Sequence, residues 1–131
     1  MSELEEIRRI LDLYTYLVDD SGWDRMGEVL TEDVVFTVRG TPVRRQGVAA
    51  VVELLSGGAS RPLMHLTANV MVDLAPEGGR ATARSKVLTP KPDGSAGLVR
   101  YEDSLVLTGA GWRIESHEVT PVVGAWRTPG E

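Results

Sequence analysis

The spacing of apolar residues changes once along this chain of 131 residues, and that change constrains the fold more than any other feature. Before residue 60, most apolar residues recur at steps of three and four, which is the spacing of helices that bury one face. From Met64 to Leu74 every second residue is apolar, which is the spacing of a strand. Helices followed by consecutive strands predict an α+β domain.

Three helices are predicted in the first part of the chain. Ser2 followed by Glu5 is a capping-box pattern, and an apolar stripe at helical spacing then continues to Val18. The second helix is short, and the third is stopped by the pair Gly57-Gly58. The predicted helices cover residues 3–18, 23–30 and 48–55, with one strand at 34–38 between the second and the third.

Four strands joined by turns are predicted in the second part. The turns are rich in glycine and proline, so the strands should form hairpins and a curved, largely antiparallel sheet. The predicted strands cover residues 64–74, 81–89, 98–108 and 112–119. Residues 121–131 are predicted to be a C-terminal tail in which Trp126 alone packs, so we expect a single domain over residues 1–131.

The charge and cysteine content exclude several classes of function. The chain has 19 acidic and 14 basic residues and no long basic run, so nucleic acid is not an expected partner. Its apolar runs are far shorter than the roughly 20 residues of a membrane span, and its acidic N-terminal segment does not resemble a signal peptide. It has no cysteine, which excludes disulfides and thiolate chemistry and fits a cytoplasmic location.

The best candidates for chemistry lie where the first helix ends. Asp19 and Asp20 follow an apolar helix face, and a carboxyl group that is shielded from water suits acid–base catalysis. Tyr14 lies five positions before Asp19, about 140° away around an ideal helix, so the two converge only if the helix frays. Gly22 is expected to supply the left-handed residue of the helix end. The alternative interpretation is that both aspartates cap the next helix from solvent.

The segments around these residues resemble one known family. The chain has an aromatic first helix, an aspartate four positions before Trp23, and then the segments TEDVVF, MHLTANVMV, ATARSKVLT, YEDSLVL and GWRIESHEV. In this order, over residues 5–120, they resemble the SnoaL-like group of the NTF2-like superfamily. The resemblance implies three N-terminal helices packed on a curved, mostly antiparallel sheet, a cone that encloses one pocket. It also implies that His65 points into that pocket, opposite Asp19.

The residue pattern alone does not decide whether His65 points into a pocket or into solvent. His65 shares a strand face with Thr67 and Asn69, and a polar strip of this kind either lines a pocket or faces solvent. His117 has the opposite parity from Trp112 and Ile114, so it is predicted to lie on the outer or interface face of the last strand.

Two further residues, both on the predicted strand at 98–108, are candidates for the site. Tyr101 is predicted to line the pocket, whereas Asp103 is predicted to pair with a basic neighbour such as Arg84 or Arg113. No metal-binding or phosphate-binding motif is present, because the two histidines lie far apart in sequence and the glycine pairs lie in turns. We therefore expect neither a metal nor a cofactor.

The leading hypothesis is a cofactor-independent acid–base enzyme, a lyase or isomerase of the dehydratase, ketosteroid isomerase or cyclase type. Its substrate would be a small hydrophobic metabolite similar to a polyketide or steroid. Asp19 and His65 would transfer protons, and Tyr14 would donate a hydrogen bond to the developing oxyanion. The candidate substrate-binding residues are Trp23, Phe36, Asn69 and Tyr101.

The hypothesis has alternatives. A dehydratase would be expected to have a second acidic or histidine residue on the strand at 81–89, and none is evident there. Epoxide hydrolysis or cyclisation would require Asp19, Asp20 and Arg84 to converge, and the third possibility is a ligand-binding module without turnover. A homodimer formed through the sheet is expected, because the strand at 98–108 has apolar residues on both faces.

Overall fold

A computed structural model describes residues 1–57 and 61–123 of the chain, and it confirms the α+β class. Three helices come early, and the second of them is a 3₁₀ helix. The helices are α1 (Glu3–Asp19), the 3₁₀ helix (Trp23–Glu28) and α2 (Val48–Ser56). The strands are β1 (Leu30–Val38), β2 (Arg44–Gln46), β3 (Leu66–Leu74), β4 (Arg80–Pro90), β5 (Ala96–Thr108) and β6 (Gly111–Val123).

The six strands form one curved, open sheet in the order β2-β1-β6-β5-β4-β3. Among the described strands, β1 and β6 pair in parallel and the other neighbouring pairs are antiparallel. The helices pack on one face of this sheet, with α1 against β6 and β3 and α2 against β1. We call this covered side the inner face and the opposite side the outer face.

The alternation of β4 shows how the two faces divide the side chains. Along Arg80–Pro90 every second residue is buried, and the residues between them are exposed. The buried residues are small or aliphatic. They are Ala81, Ala83, Ser85, Val87 and Thr89.

Several elements differ from those expected. The helix expected at 23–30 is a 3₁₀ helix that ends at Glu28, since Asp24 and Gly27 are weak helix formers. Strand β1 begins at Leu30, four residues before the expected start, and strand β2 was not expected, because its sequence, RRQ, is short and charged. Strand β6 continues to Val123 by pairing with β5, so residues 121–123, expected to belong to a tail, are part of the sheet. Trp126 lies outside the described residues.

A bulge in β6 reverses the faces of its side chains and corrects the position expected for His117. Leu105 of β5 pairs with Ile114, but the preceding Ser104 pairs with Ser116, so β6 has one extra residue here. Trp112 and Ile114 before the bulge are buried, and so is His117 after it, although its parity is opposite. The prediction that His117 lies on the outer or interface face is therefore wrong.

A second bulge lies in β3. Ala68 pairs with Lys86 and Met71 with Arg84, so three steps of β3 face two steps of β4. Asn69 occupies the bulge with φ of 54°, a left-handed conformation that asparagine tolerates better than most residues. The polar strip expected along this strand is interrupted here, and Asn69 is exposed while Thr67 is partly buried.

Candidate active site

Two histidine–aspartate pairs lie on the helix-covered side of the sheet. The first joins Asp19 of α1 to His65, which directly precedes β3. The second joins Asp103 of β5 to His117 of β6. We call them the rim dyad and the inner dyad, because the first is partly accessible and the second is almost completely buried.

The end of α1 gives Asp19 its position. The Ser21 N–H donates to the Val18 carbonyl at 3.4 Å and the Gly22 N–H to the Leu17 carbonyl at 2.7 Å, which is the Schellman pattern of a helix end. Ser21 takes the left-handed conformation, with φ of 57°, that was expected of Gly22. Asp19 is therefore the last helical residue and turns toward the sheet, whereas Asp20 is exposed.

The rim dyad is held by two hydrogen bonds to one carboxylate. Oδ2 of Asp19 accepts the backbone N–H of His65 at 3.0 Å, and Oδ1 lies 2.5 Å from Nδ1 of the same residue. An imidazole that donates its Nδ1 proton to a carboxylate keeps the lone pair of Nε2 for proton transfer. The side chains of Asp19 and His65 are 16% and 15% exposed, so they remain within reach of a ligand.

Arg61 braces the helix end beside this dyad, and sequence reasoning missed it. Its guanidinium donates to the Val18 carbonyl at 2.7 Å and to the Ser21 hydroxyl at 3.4 Å. The same group lies 5.0 Å from the ring centroid of Trp23, in a cation–π contact. Trp23, a candidate substrate-binding residue, thus packs beneath Arg61. Nothing local in the sequence indicated this contact, because more than 35 residues separate the partners.

The inner dyad corrects the pairing expected for Asp103. Its Oδ1 lies 2.5 Å from Nδ1 of His117, and each side chain is only 2% exposed. The predicted partners lie elsewhere, since Arg84 contacts Met71 on the outer face and Arg113 donates to the carbonyl of Gly27. Asp103 lies two residues after Tyr101 in β5, so both side chains point to the inner face and away from the two arginines.

Aromatic rings surround His117. The ring centroids of Tyr101, Tyr14 and Phe36 lie 4.3, 4.7 and 5.5 Å from that of His117. Nε2 of His117 is enclosed and has no hydrogen-bond partner among the described residues. Two candidates from the sequence, Tyr14 and Phe36, thus belong to the surroundings of the inner dyad.

The two buried tyrosines keep their protons far above the usual range. Burial is the main cause of the raised pKa of Tyr14, followed by the nearby Tyr101 and the Asp103 carboxylate. Burial likewise raises the pKa of Tyr101 most, and Asp103 and then Asp19 raise it further. Both phenols are therefore hydrogen-bond donors at neutral pH. Since carboxylates of both dyads act on Tyr101, this residue links the two pairs electrostatically.

The remaining sequence candidates are placed as follows. Thr67 lies two residues after His65 with its hydroxyl enclosed and unpaired among the described residues. Asn69 lies exposed on the β3 bulge, apart from the buried groups. Within residues 1–57 and 61–123, histidine and acidic side chains form no group of three that could hold a metal ion. No helix in that part of the chain is long and apolar enough to cross a membrane.

Comparison with known proteins connects this arrangement to a family. A family model described as a SnoaL-like domain matches residues 1–118. No curated protein matches the chain at a significant level.

Several solved structures share the fold. A candidate scytalone dehydratase from Novosphingobium aromaticivorans superposes with a TM-score of 0.79 at 20% identity, over 98% of this chain and 91% of the other. An NTF2-like protein with a cystatin-like fold from the same organism gives 0.75 at 24% identity, over 94% and 84%. A candidate aromatic ring hydroxylase, again from that organism, gives 0.75 at 26% identity, over 91% and 88%. With nine-tenths of its length matched by the family model, the chain belongs to the SnoaL-like domain family of the NTF2-like superfamily.

Proposed function

We propose that this protein is an acid–base enzyme, a lyase or isomerase, that acts on a small hydrophobic metabolite similar to a polyketide or steroid. The observation that carries the proposal is the rim dyad, in which Asp19 holds both the backbone and the imidazole of His65. A histidine oriented in this way by a carboxylate is suited to general acid–base catalysis at neutral pH.

We infer different roles for the two members of the rim dyad. Both carboxylate oxygens of Asp19 are engaged by His65, so Asp19 orients the ring and sets its tautomer. Nε2 of His65 is the atom that takes a proton from carbon or returns one to a leaving hydroxyl. The aspartate is therefore a positioning residue, and the histidine is the proton-transfer group.

The phenols of Tyr14 and Tyr101 supply the complementary interaction. Because their raised pKa values keep them protonated, they can donate hydrogen bonds to an oxygen on which negative charge develops. An enolate is such a species, and it arises in both dehydration and isomerisation next to a carbonyl. The name of the candidate scytalone dehydratase with the same fold is consistent with this class of reaction.

The geometry does not favour the epoxide reaction. That reaction would require Arg84 to converge with Asp19 and Asp20. Arg84 contacts Met71 on the outer face, Asp19 contacts His65 on the inner side, and Asp20 is exposed.

Replacement of Asp19 tests the proposal directly. We expect Asp19→Asn to lower turnover about 10² to 10⁴-fold, because asparagine can no longer accept both protons of His65 or favour its reactive tautomer. Asp20→Asn is the matched control and should retain activity, since Asp20 is exposed. The measurement is turnover on a panel of hydroxylated or enolisable polyketides, with thermal melts of both variants. Equal turnover by wild type and Asp19→Asn would contradict the proposed mechanism.

A further inference from the structure

The proposed reaction makes no use of the inner dyad. His117 is 2% exposed, its Nδ1 lies 2.5 Å from Oδ1 of Asp103, and its Nε2 has no partner among the described residues. A buried polar atom without a partner destabilises the folded state. Apolar residues of similar size at these two positions would often be as stable or more stable. Stability therefore does not account for this pair.

The hydrogen bond within the pair determines what Nε2 can bind. When the neutral imidazole donates its Nδ1 proton to Asp103, Nε2 presents a lone pair that accepts from a hydrogen-bond donor. The phenols of Tyr14 and Tyr101 retain their protons, yet neither donates to this nitrogen. A hydroxyl group of a ligand is a donor of this kind.

The surroundings define the shape of that partner. Rings of Tyr14, Tyr101 and Phe36 form the wall around the imidazole, with centroids 4.3 to 5.5 Å away. Aromatic walls favour a flat ring, which they contact by stacking or by their edges. The β6 bulge turns His117 into this wall, and bulges of this kind often direct a side chain toward a functional site.

We propose that Nε2 of His117 accepts a hydrogen bond from a hydroxyl group on a planar ring of the substrate, so that the inner dyad is a second recognition point of the site. Because Nε2 is enclosed, a ligand reaches it when one aromatic side chain of the wall turns aside. The inference rests on the proposed function in one respect, namely that the same ligand meets the rim dyad. Asp103 and Asp19 both raise the pKa of Tyr101, so this residue connects the two recognition points electrostatically.

The test compares two ligands and two variants in fluorescence titrations. 2-Naphthol offers a flat ring with a hydroxyl donor, and 2-methoxynaphthalene offers the same ring without the donor. Wild-type protein should bind 2-naphthol about tenfold more tightly, which is the effect of one well-made hydrogen bond. This comparison requires no variant, so it remains decisive even if substitutions impair folding.

The variants separate Nε2 from the rest of the imidazole. His117→Asn places an amide where Nδ1 contacts Asp103 but removes Nε2, whereas His117→Gln places an amide near Nε2. We expect His117→Asn to lose the tenfold preference for 2-naphthol and His117→Gln to restore part of it.

Three results would overturn the inference: equal binding of both ligands by wild type, a preference retained within twofold in His117→Asn, or no saturable binding of 2-naphthol. Binding is measured without turnover, so the outcome is independent of the Asp19→Asn experiment. Loss of turnover in Asp19→Asn together with equal binding of both ligands would refute this inference alone. Full activity of Asp19→Asn together with a preference that depends on His117 would refute the rim-dyad mechanism alone.

Discussion

At the scale of single residues, the chemistry of this protein depends on how each polar group is paired after burial. Asp19 and His65 were expected to act together, and they form a direct hydrogen bond. Asp103 was expected to meet an arginine, and it meets His117 instead. The difference arises because Asp19 lies at a helix end and faces the next segment, whereas the partner of a strand residue depends on which face that strand turns inward.

The two buried tyrosines predict a loss of stability in alkali. Below about pH 10 both folded and unfolded chains hold these phenolic protons, so pH has no effect through them. Above that value the unfolded chain releases the protons first, because burial raises the pKa of Tyr14 and Tyr101 in the folded state. The unfolding free energy should then fall with rising pH, by about 1.4 kcal/mol per pH unit for each tyrosine.

Urea unfolding between about pH 8 and about pH 11 measures this slope. Tyr101→Phe is the control, and it should remove the contribution of one tyrosine to the slope of unfolding free energy against pH. Tyrosinate absorbance from all three tyrosines of the folded chain near pH 10 would contradict the prediction.

At the scale of the elements, bulges determine which side chains face inward. The bulge at Asn69 in β3 and the bulge between Ile114 and Ser116 in β6 each add one residue to a strand, while the partner strand continues unchanged. The β6 bulge brings His117 to the inner face, and the β3 bulge leaves Asn69 exposed in a left-handed conformation. Alternation along a strand thus predicts the faces correctly only as far as the first bulge.

The conformation of Asn69 predicts different effects of alanine and glycine. At φ of 54° a Cβ atom is strained, and asparagine tolerates this conformation better than most residues. Asn69→Ala should therefore unfold more readily than Asn69→Gly, by about 1 kcal/mol, since glycine adopts this conformation without steric cost. Urea unfolding of both variants measures the difference.

Asp73→Ala on the same strand provides the control. Asp73 is exposed and pairs regularly with Thr82, so alanine there meets no unusual backbone conformation. Equal stabilities of Asn69→Ala and Asn69→Gly would mean that the bulge does not strain this position.

At the scale of the whole molecule, helices cover one face of the sheet, and the described residues place no helix on the other. The expected homodimer rests on apolar residues on both faces of the strand at 98–108, where Leu105 is completely buried and Leu107 is 46% exposed. The outer face also carries a row of three leucines in register across β3, β4 and β5. Leu66, Leu88 and Leu98 are exposed by 48%, 38% and 40%.

This row predicts a homodimer that buries the outer face of the sheet. Contiguous apolar groups across three strands are better removed from water than left exposed. Leu88 lies at the centre of the row, so Leu88→Lys should convert the dimer into a monomer without changing the inner core. Light scattering at micromolar concentration measures the mass of each form.

Leu4→Lys is the matched control, because Leu4 is similarly exposed, at 42%, on the helical side of the molecule. It should leave the dimer intact. A wild-type chain that is monomeric at micromolar concentration would refute the prediction, and a Leu88→Lys variant that remains dimeric would assign the interface to another surface.

The sequence alone determined the α+β class and most of the elements. A helical stripe beginning at the Ser2 cap predicts α1, and the two-residue period from Met64 predicts β3, because both signals are local and concern neighbouring residues. The family resemblance, which rests on local segments of the sequence, added the prediction that His65 lies opposite Asp19.

Only the tertiary structure decided what surrounds the inner dyad. The inward turn of His117 depends on a single extra residue in β6, and such a bulge arises from pairing with a neighbouring strand, so no local pattern encodes it. Arg61 reaches the end of α1 for a comparable reason, since its partners lie about 40 residues earlier in the chain. Periodicity reports which residues are apolar, whereas register determines which polar groups meet, and register is set only when the strands pair.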